Sequence, residues 1–200
     1  MAATELLRQY GFTVGHQLMP GLPGEDWDSL VRTTDAICRL QPDLARIYPV
    51  AVLTGTDLAD SWRAGCYHAL TIHEGVVRAA YMKQRFLEQG INCIRTGLQA
   101  TEDLDDDTQV LAGAYTPAMG ELVDTRRYGR QLLYFLRSLP AGPGITICYN
   151  RRDTSRVRGY RNVTVKTARW SLPHRLTWRR MRCPSVISAS ARGGQAMTSM

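Results

Sequence analysis

The chain has 200 residues, 44% of them hydrophobic, and carries 25 Lys and Arg against 18 Asp and Glu, a net charge of +7. That length suits one domain, or one domain with an appendage, and the apolar share excludes a wholly disordered chain. The longest apolar run, Tyr48 to Leu53, is far too short to span a bilayer, and the polar helical start MAATELLRQYGF is no secretory signal, so a cytoplasmic protein without a membrane partner is expected.

Thr4 to Tyr10 reads as the tail of a helix closed by Gly11, and Phe12 to Met19, FTVGHQLM, as a strand stopped by PGLPG. Trp27, Leu30, Val31, Thr34, Ile37 and Cys38 then recur at helical spacing, with Glu25, Asp26 and Asp28 in the first turn where the helix dipole favours anions. This predicts a helix from about Glu25 to Leu40. Leu44 to Leu53, LARIYPVAVL, is a nearly continuous apolar run of the kind found in a strand covered on both faces. A short helix over Asp57 to Arg63 follows, stopped by Gly65. Thr71 with Glu74 forms a capping box for the longest helix, which Gly90 closes, and Ile91 to Leu98 is a third strand.

Helices alternate with strands, and each crossover is long enough to carry a helix, so the reading is α/β with parallel strands. Beyond that the alternation loosens. Thr101 to Thr108 is an acidic loop, Thr116 and Pro117 begin a helix striped by Met119, Leu122, Val123, Leu133 and Leu136, and Ile145 to Tyr149 is a fourth strand. From Val163 onward no sustained period of either kind is evident, and an irregular tail is expected. The whole charge excess lies there: Lys166, Arg169, Arg175, Arg179, Arg180, Arg182 and Arg192 stand against no acid.

Five cysteines, Cys38, Cys66, Cys93, Cys148 and Cys183, are odd in number, widely spaced and nowhere in CxxC, which predicts buried or half-buried thiols rather than a disulfide framework. Cys66, His68 and His73 crowd one loop and helix start at a spacing too irregular for zinc. TEDLDDDT lacks the glycine and terminal glutamate of a calcium loop, and Arg126, Arg127 and Arg130 read as a solvated helix face. The turn QLMPGLPGED sits where α/β proteins bind ligands, yet it holds neither GxGxxG nor GxxxxGK, and Glu25 and Asp26 would repel an anion.

The strings GFTVGHQLMPGLPGEDWDSL, DLARIYPVAVLTGTDLADSWRAGCYHALT, INCIRTGLQATEDL and GAYTPAMGELVDTRRY, in that order, resemble the C-terminal half of radical S-adenosylmethionine proteins of the Elongator catalytic subunit type. The resemblance covers about Thr4 to Asn162. It implies the last βα units of a partial barrel over residues 1–100, an α/β C-terminal extension over 101–162, and a basic, disordered or frameshifted tail over 163–200. It implies a 4Fe-4S cluster and S-adenosylmethionine as cofactors of full-length members, reductive cleavage to a 5′-deoxyadenosyl radical, and RNA modification. As cofactor-side residues it implies Gln17, Met19, Gly21, Gly24, Tyr48, Gly97 and Gln99, and as partners RNA (tRNA) or an N-terminal half encoded upstream. The family grips its cluster with CxxxCxxC, and no such string occurs here, so the chain alone is expected to be inactive and to bind neither cofactor stably. A non-catalytic RNA- or partner-binding module, or half of a split enzyme, is the alternative.

Overall fold

The computed structural model describes residues 2–99, 108–139, 144–172, 175–181, 186–191 and 194–199. They fall into two compact units, Met1–Val123 and Asp124–Met200.

The first unit opens with α1 (Ala2–Gln9) and β1 (Gly15–Leu18), followed by α2 (Trp27–Leu40). Asp26 caps α2 by accepting from the Ser29 N–H at 2.6 Å, and the Ser29 hydroxyl oxygen accepts from the Asp26 N–H at 3.0 Å. Next come β2 (Leu44–Ile47), β3 (Ala51–Leu53), α3 (Asp57–Arg63), α4 (Ile72–Glu88), β4 (Asn92–Thr96) and β5 (Val110–Gly113). At the start of α4 the capping box holds: Thr71 Oγ1 accepts from the Glu74 N–H, and the Glu74 carboxylate accepts from the Thr71 N–H. Both caps keep their carboxylates below the usual range, because backbone and hydroxyl donors favour the charged form.

β1, β2 and β4 form a parallel sheet in the order β1-β2-β4, as the α/β reading requires. Leu18, Ala45 and Ile47 turn to one face of it and join Leu30 and Cys38 of α2 and Val76, Ala79, Met82 and Phe86 of α4 in the unit's main core. The other face carries Gln17 and Arg46, both exposed. The expectation of one long strand covered on both faces over Leu44 to Leu53 is therefore corrected. Pro49, which has no N–H for a ladder, ends β2, and β3 pairs instead with β5 in a separate antiparallel sheet.

The second unit takes the length of α5 (Met119–Ser138) from Asp124 onward, then β6 (Ile145–Asn150), α6 (Thr154–Arg158), α7 (Val163–Ser171), β7 (Leu176–Met181), β8 (Val186–Ala191) and β9 (Gly194–Ser199). Its sheet runs β7-β6-β8-β9, with β6 parallel to β7 and the other neighbours antiparallel. Leu132, Leu136, Ile145, Ile147, Tyr149, Val157, Ala168 and Leu172 form its core. An irregular tail after Val163 is thus not what the structure has. Val165 and Ala168 lie three apart and are buried on one face of α7, Leu172 just past its end is buried too, and Trp178 meets Tyr149 edge-on at 6.5 Å.

Candidate functional site

The carboxyl ends of β1, β2 and β4 lie side by side. The Tyr48 N–H donates to the Leu18 carbonyl at 2.8 Å, and the Gly97 N–H donates to the Ile47 carbonyl at 2.8 Å, so the chain leaves all three strands at one edge. Parallel α/β sheets bind ligands at that edge. All seven residues expected to face a cofactor are there or on the adjoining open face: Gln17 on β1, Met19, Gly21 and Gly24 in the turn after it, Tyr48 after β2, and Gly97 and Gln99 after β4.

They differ in what they present. Gln17, Met19, Gly24 and Gln99 are exposed and Tyr48 is half-buried, whereas Gly21 and Gly97 are buried. Gly21 adopts φ +101°, and a Cβ there would lie 2.6 Å from Leu70 Cδ1; at Gly97, φ is +86° and a Cβ would lie 2.5 Å from Met119 Cβ. Close packing alone calls for glycine at both positions.

A polar clamp that the sequence did not reveal holds the turn after β1. The Glu25 carboxylate accepts from the Gly21 N–H at 2.9 Å and lies 3.5 Å from Arg78 Nε of α4, while the Tyr67 hydroxyl donates to the Gly21 carbonyl at 2.5 Å. The Glu25 and Arg78 side chains are largely buried. Burial is the largest influence on Glu25 and raises its pKa, with the Gly21 N–H and Arg78 pulling the other way; burial and then Glu25 raise that of Tyr67. Glu25 thus faces inward to the backbone of its own turn, leaving Asp26 and Asp28 at the helix start.

Sequence reasoning also passed over the cations of the open face. Gln17 stands in register with Arg46, and Arg46 with Arg95, across the three strands. All three are exposed, and Arg95 Nη1 donates to Gln99 Oε1 at 2.9 Å. The signal was one arginine in each of the apolar strings LARIYP and INCIRT.

Other candidates are sorted by burial. Cys38 is buried, and desolvation by its surroundings pushes its thiol up; Cys93 and Cys148 are half-buried, Cys66 is exposed, contrary to expectation, and Cys183 and residues 101–107 lie outside the described residues. His68 and His73 are exposed beside Cys66. Among the described residues no three His, Cys, Asp or Glu side chains come together in a way that could hold a metal ion, so they do not fit a cluster held by three thiolates. The solvated arginine face on α5 is also corrected. Arg127 lies 3.8 Å from Asp124 and 4.4 Å from the Tyr128 ring centroid, Arg126 is half-buried with its pKa lowered by desolvation and then by Arg130, and only Arg130 is exposed. In the second unit an open concavity of about 610 Å³ is lined by Arg158, Arg169, Arg175, Leu176, Thr177 and Trp178. No described helix is long and apolar enough to cross a membrane.

Residues 42–128 match the Radical_SAM C-terminal domain family, a span that includes β2, β4 and the start of α5. That segment is similar to the C-terminal domain of radical S-adenosylmethionine proteins. The relatives it resembles are of the Elongator type. Over 84 residues it is 34% identical to a tRNA uridine(34) acetyltransferase of Methanocaldococcus jannaschii, covering 40% of this chain and 16% of that protein. Over 68 residues it is 41% identical to the protein of the same name from Dehalococcoides mccartyi, covering 32% of this chain and 15% of that one. The solved structure of the archaeal Methanocaldococcus infernus Elp3 with an N-terminal deletion superposes with a TM-score of 0.53 at 27% identity, covering 66% of this chain and 30% of that one. The chain thus spans less than a third of the length of these relatives.

Proposed function

We propose that this chain supplies the last parallel strands and the C-terminal extension of a radical S-adenosylmethionine protein that modifies RNA, tRNA above all, in the cytoplasm. The observation that carries the reading is the sheet β1-β2-β4: all-parallel sheets are covered on both faces, and here, among the described residues, helices cover only one. The open face is the inner wall of a partial barrel whose remaining strands and CxxxCxxC loop come from a further polypeptide segment. Gln17, Met19, Gly21, Gly24, Tyr48, Gly97 and Gln99 border the cofactor in the completed barrel. Gly21 and Gly97 let the turns pack closely, and Gln17, Met19, Tyr48 and Gln99 present side chains. S-adenosylmethionine and a 4Fe-4S cluster supply the radical chemistry in full-length relatives, and the 200 residues here hold the wall but not the cluster. Co-expression with a cluster-bearing N-terminal half should give a brown complex that releases 5′-deoxyadenosine under reduction. Release of 5′-deoxyadenosine by this chain alone after anaerobic reconstitution would overturn the reading.

A second proposal concerns residues 163–200. Likeness to the family motifs ends at Asn162, and every residue of the net positive excess follows it without one acid, which favours translation in a shifted frame. The competing basic arm gains support from the burial of Val165, Ala168 and Leu172; of the two tryptophans expected to stack on RNA, Trp170 is exposed, whereas Trp178 packs against the second unit's core. Resequencing the locus decides between them, since an uninterrupted frame on independent DNA ends the frameshift idea.

A further inference from the structure

We infer that Arg46 and Arg95 together form an anion seat on the open sheet face and take a phosphate group of a nucleotide substrate. The inference deepens the proposed function, because it rests on that face being the inner wall of a barrel. Three observations carry it. First, the two guanidinium-bearing residues are register partners on adjacent parallel strands, which places them about 5 Å apart at the backbone. Both are exposed, and among the described residues neither has a carboxylate partner. Like charges directly opposite each other destabilise a sheet, so the pair is a local cost that no described acid offsets.

Second, the register that brings them together is irregular. The ladder pairs Ala45 with Cys93 and then Arg46 with Arg95, so Ile94 is passed over by a bulge between Ala45 and Arg46. Without the bulge, exposed Ile94 would stand opposite Arg46, and bulges are a means of re-aiming a side chain next to a functional site. Third, the surroundings suit a polar anionic ligand. Gln17 extends the row on the far side of Arg46, and Gln99 accepts from Arg95, whose other donors have no partner among the described residues. A tetrahedral phosphate offers oxygens to both forks at once.

The test uses the purified 200-residue chain, without cluster or S-adenosylmethionine, and calorimetric titration with inorganic pyrophosphate, uridine 5′-monophosphate, uridine and a short oligouridylate. Pyrophosphate and the monophosphate should bind and uridine should not. R46Q and R95Q should each weaken both about tenfold or more with unchanged circular dichroism, and R46K with R95K should recover part of the loss. The salt slope for oligouridylate should fall by about 0.7 in R46Q/R95Q, one single-strand phosphate contact. Unchanged affinity in R46Q and R95Q, no binding of any probe, or binding of pyrophosphate without the nucleotide would overturn the inference. So would a loss seen only in R158Q/R169Q/R175Q, since binding would then belong to the concavity of the second unit. These outcomes do not depend on radical chemistry: if the co-expressed complex proves inactive while R46Q and R95Q still lose pyrophosphate, the proposed function fails and the seat stands.

Discussion

Glu25 shows how one residue couples the local backbone to solution conditions. Its carboxylate reaches back four residues to the Gly21 N–H and across to Arg78 of α4, yet desolvation outweighs both and its pKa lies above 4.5 in the folded state. Between those two values the folded chain holds a proton that the unfolded chain has released, so folding weakens as pH rises. The contribution of Glu25 is fully present below its unfolded value and is lost as pH climbs through the raised folded value. Glu25→Gln has no proton to lose. The difference in unfolding free energy between E25Q and the natural chain, from urea titrations at about pH 4 and about pH 7, should move in favour of E25Q at the higher pH. A difference that stays constant, or moves the other way, would show that Arg78 and Gly21 dominate Glu25.

At the scale of elements, the turn between β1 and α2 separates two roles of glycine. Gly24 has φ +75°, and a Cβ added there would meet nothing within 4 Å, so G24A carries only the backbone strain of a left-handed conformation, about 1 kcal/mol. Gly21, at φ +101°, adds contact with Leu70, so G21A should cost about 2–4 kcal/mol in chemical denaturation. Equal costs for the two would mean that Leu70 moves aside freely. The stripes of α2 and α4 and the cap of α4 were legible because local chemistry decides them: Thr71 and Glu74 act within one turn of chain, whereas Asp26, read as a first-turn acid, is the cap of α2. The break at Pro49 was legible only in retrospect, because the apolar character of LARIYPVAVL hides a change of sheet that depends on a distant partner, β5. The short VLAG of β5 gives no period to read. Arg46 and Arg95 escaped for the same reason: their significance lies in register, and a bulge set it. In the second unit the spacing of Val165, Ala168 and Leu172 was available but was outweighed by the surrounding Arg and Ser.

At the scale of the whole chain, among the described residues the sheet β1-β2-β4 leaves β1 and β4 as edges and one face without helices, with Met19 and Ile94 exposed near that face. Unpaired strand edges and uncovered apolar side chains favour association with any chain that can cover them. The net charge of +7 opposes association by repulsion, but salt screens that repulsion within about 8 Å at physiological ionic strength, whereas apolar contact persists. Sedimentation of the purified chain should therefore show self-association that grows with concentration and with added salt. Co-expression with a cluster-bearing N-terminal half should suppress it by covering the same face. A monomer at all concentrations that melts in one cooperative transition would show the open face to be stable in water, and the case for reading it as a barrel's inner wall would lose its physical basis.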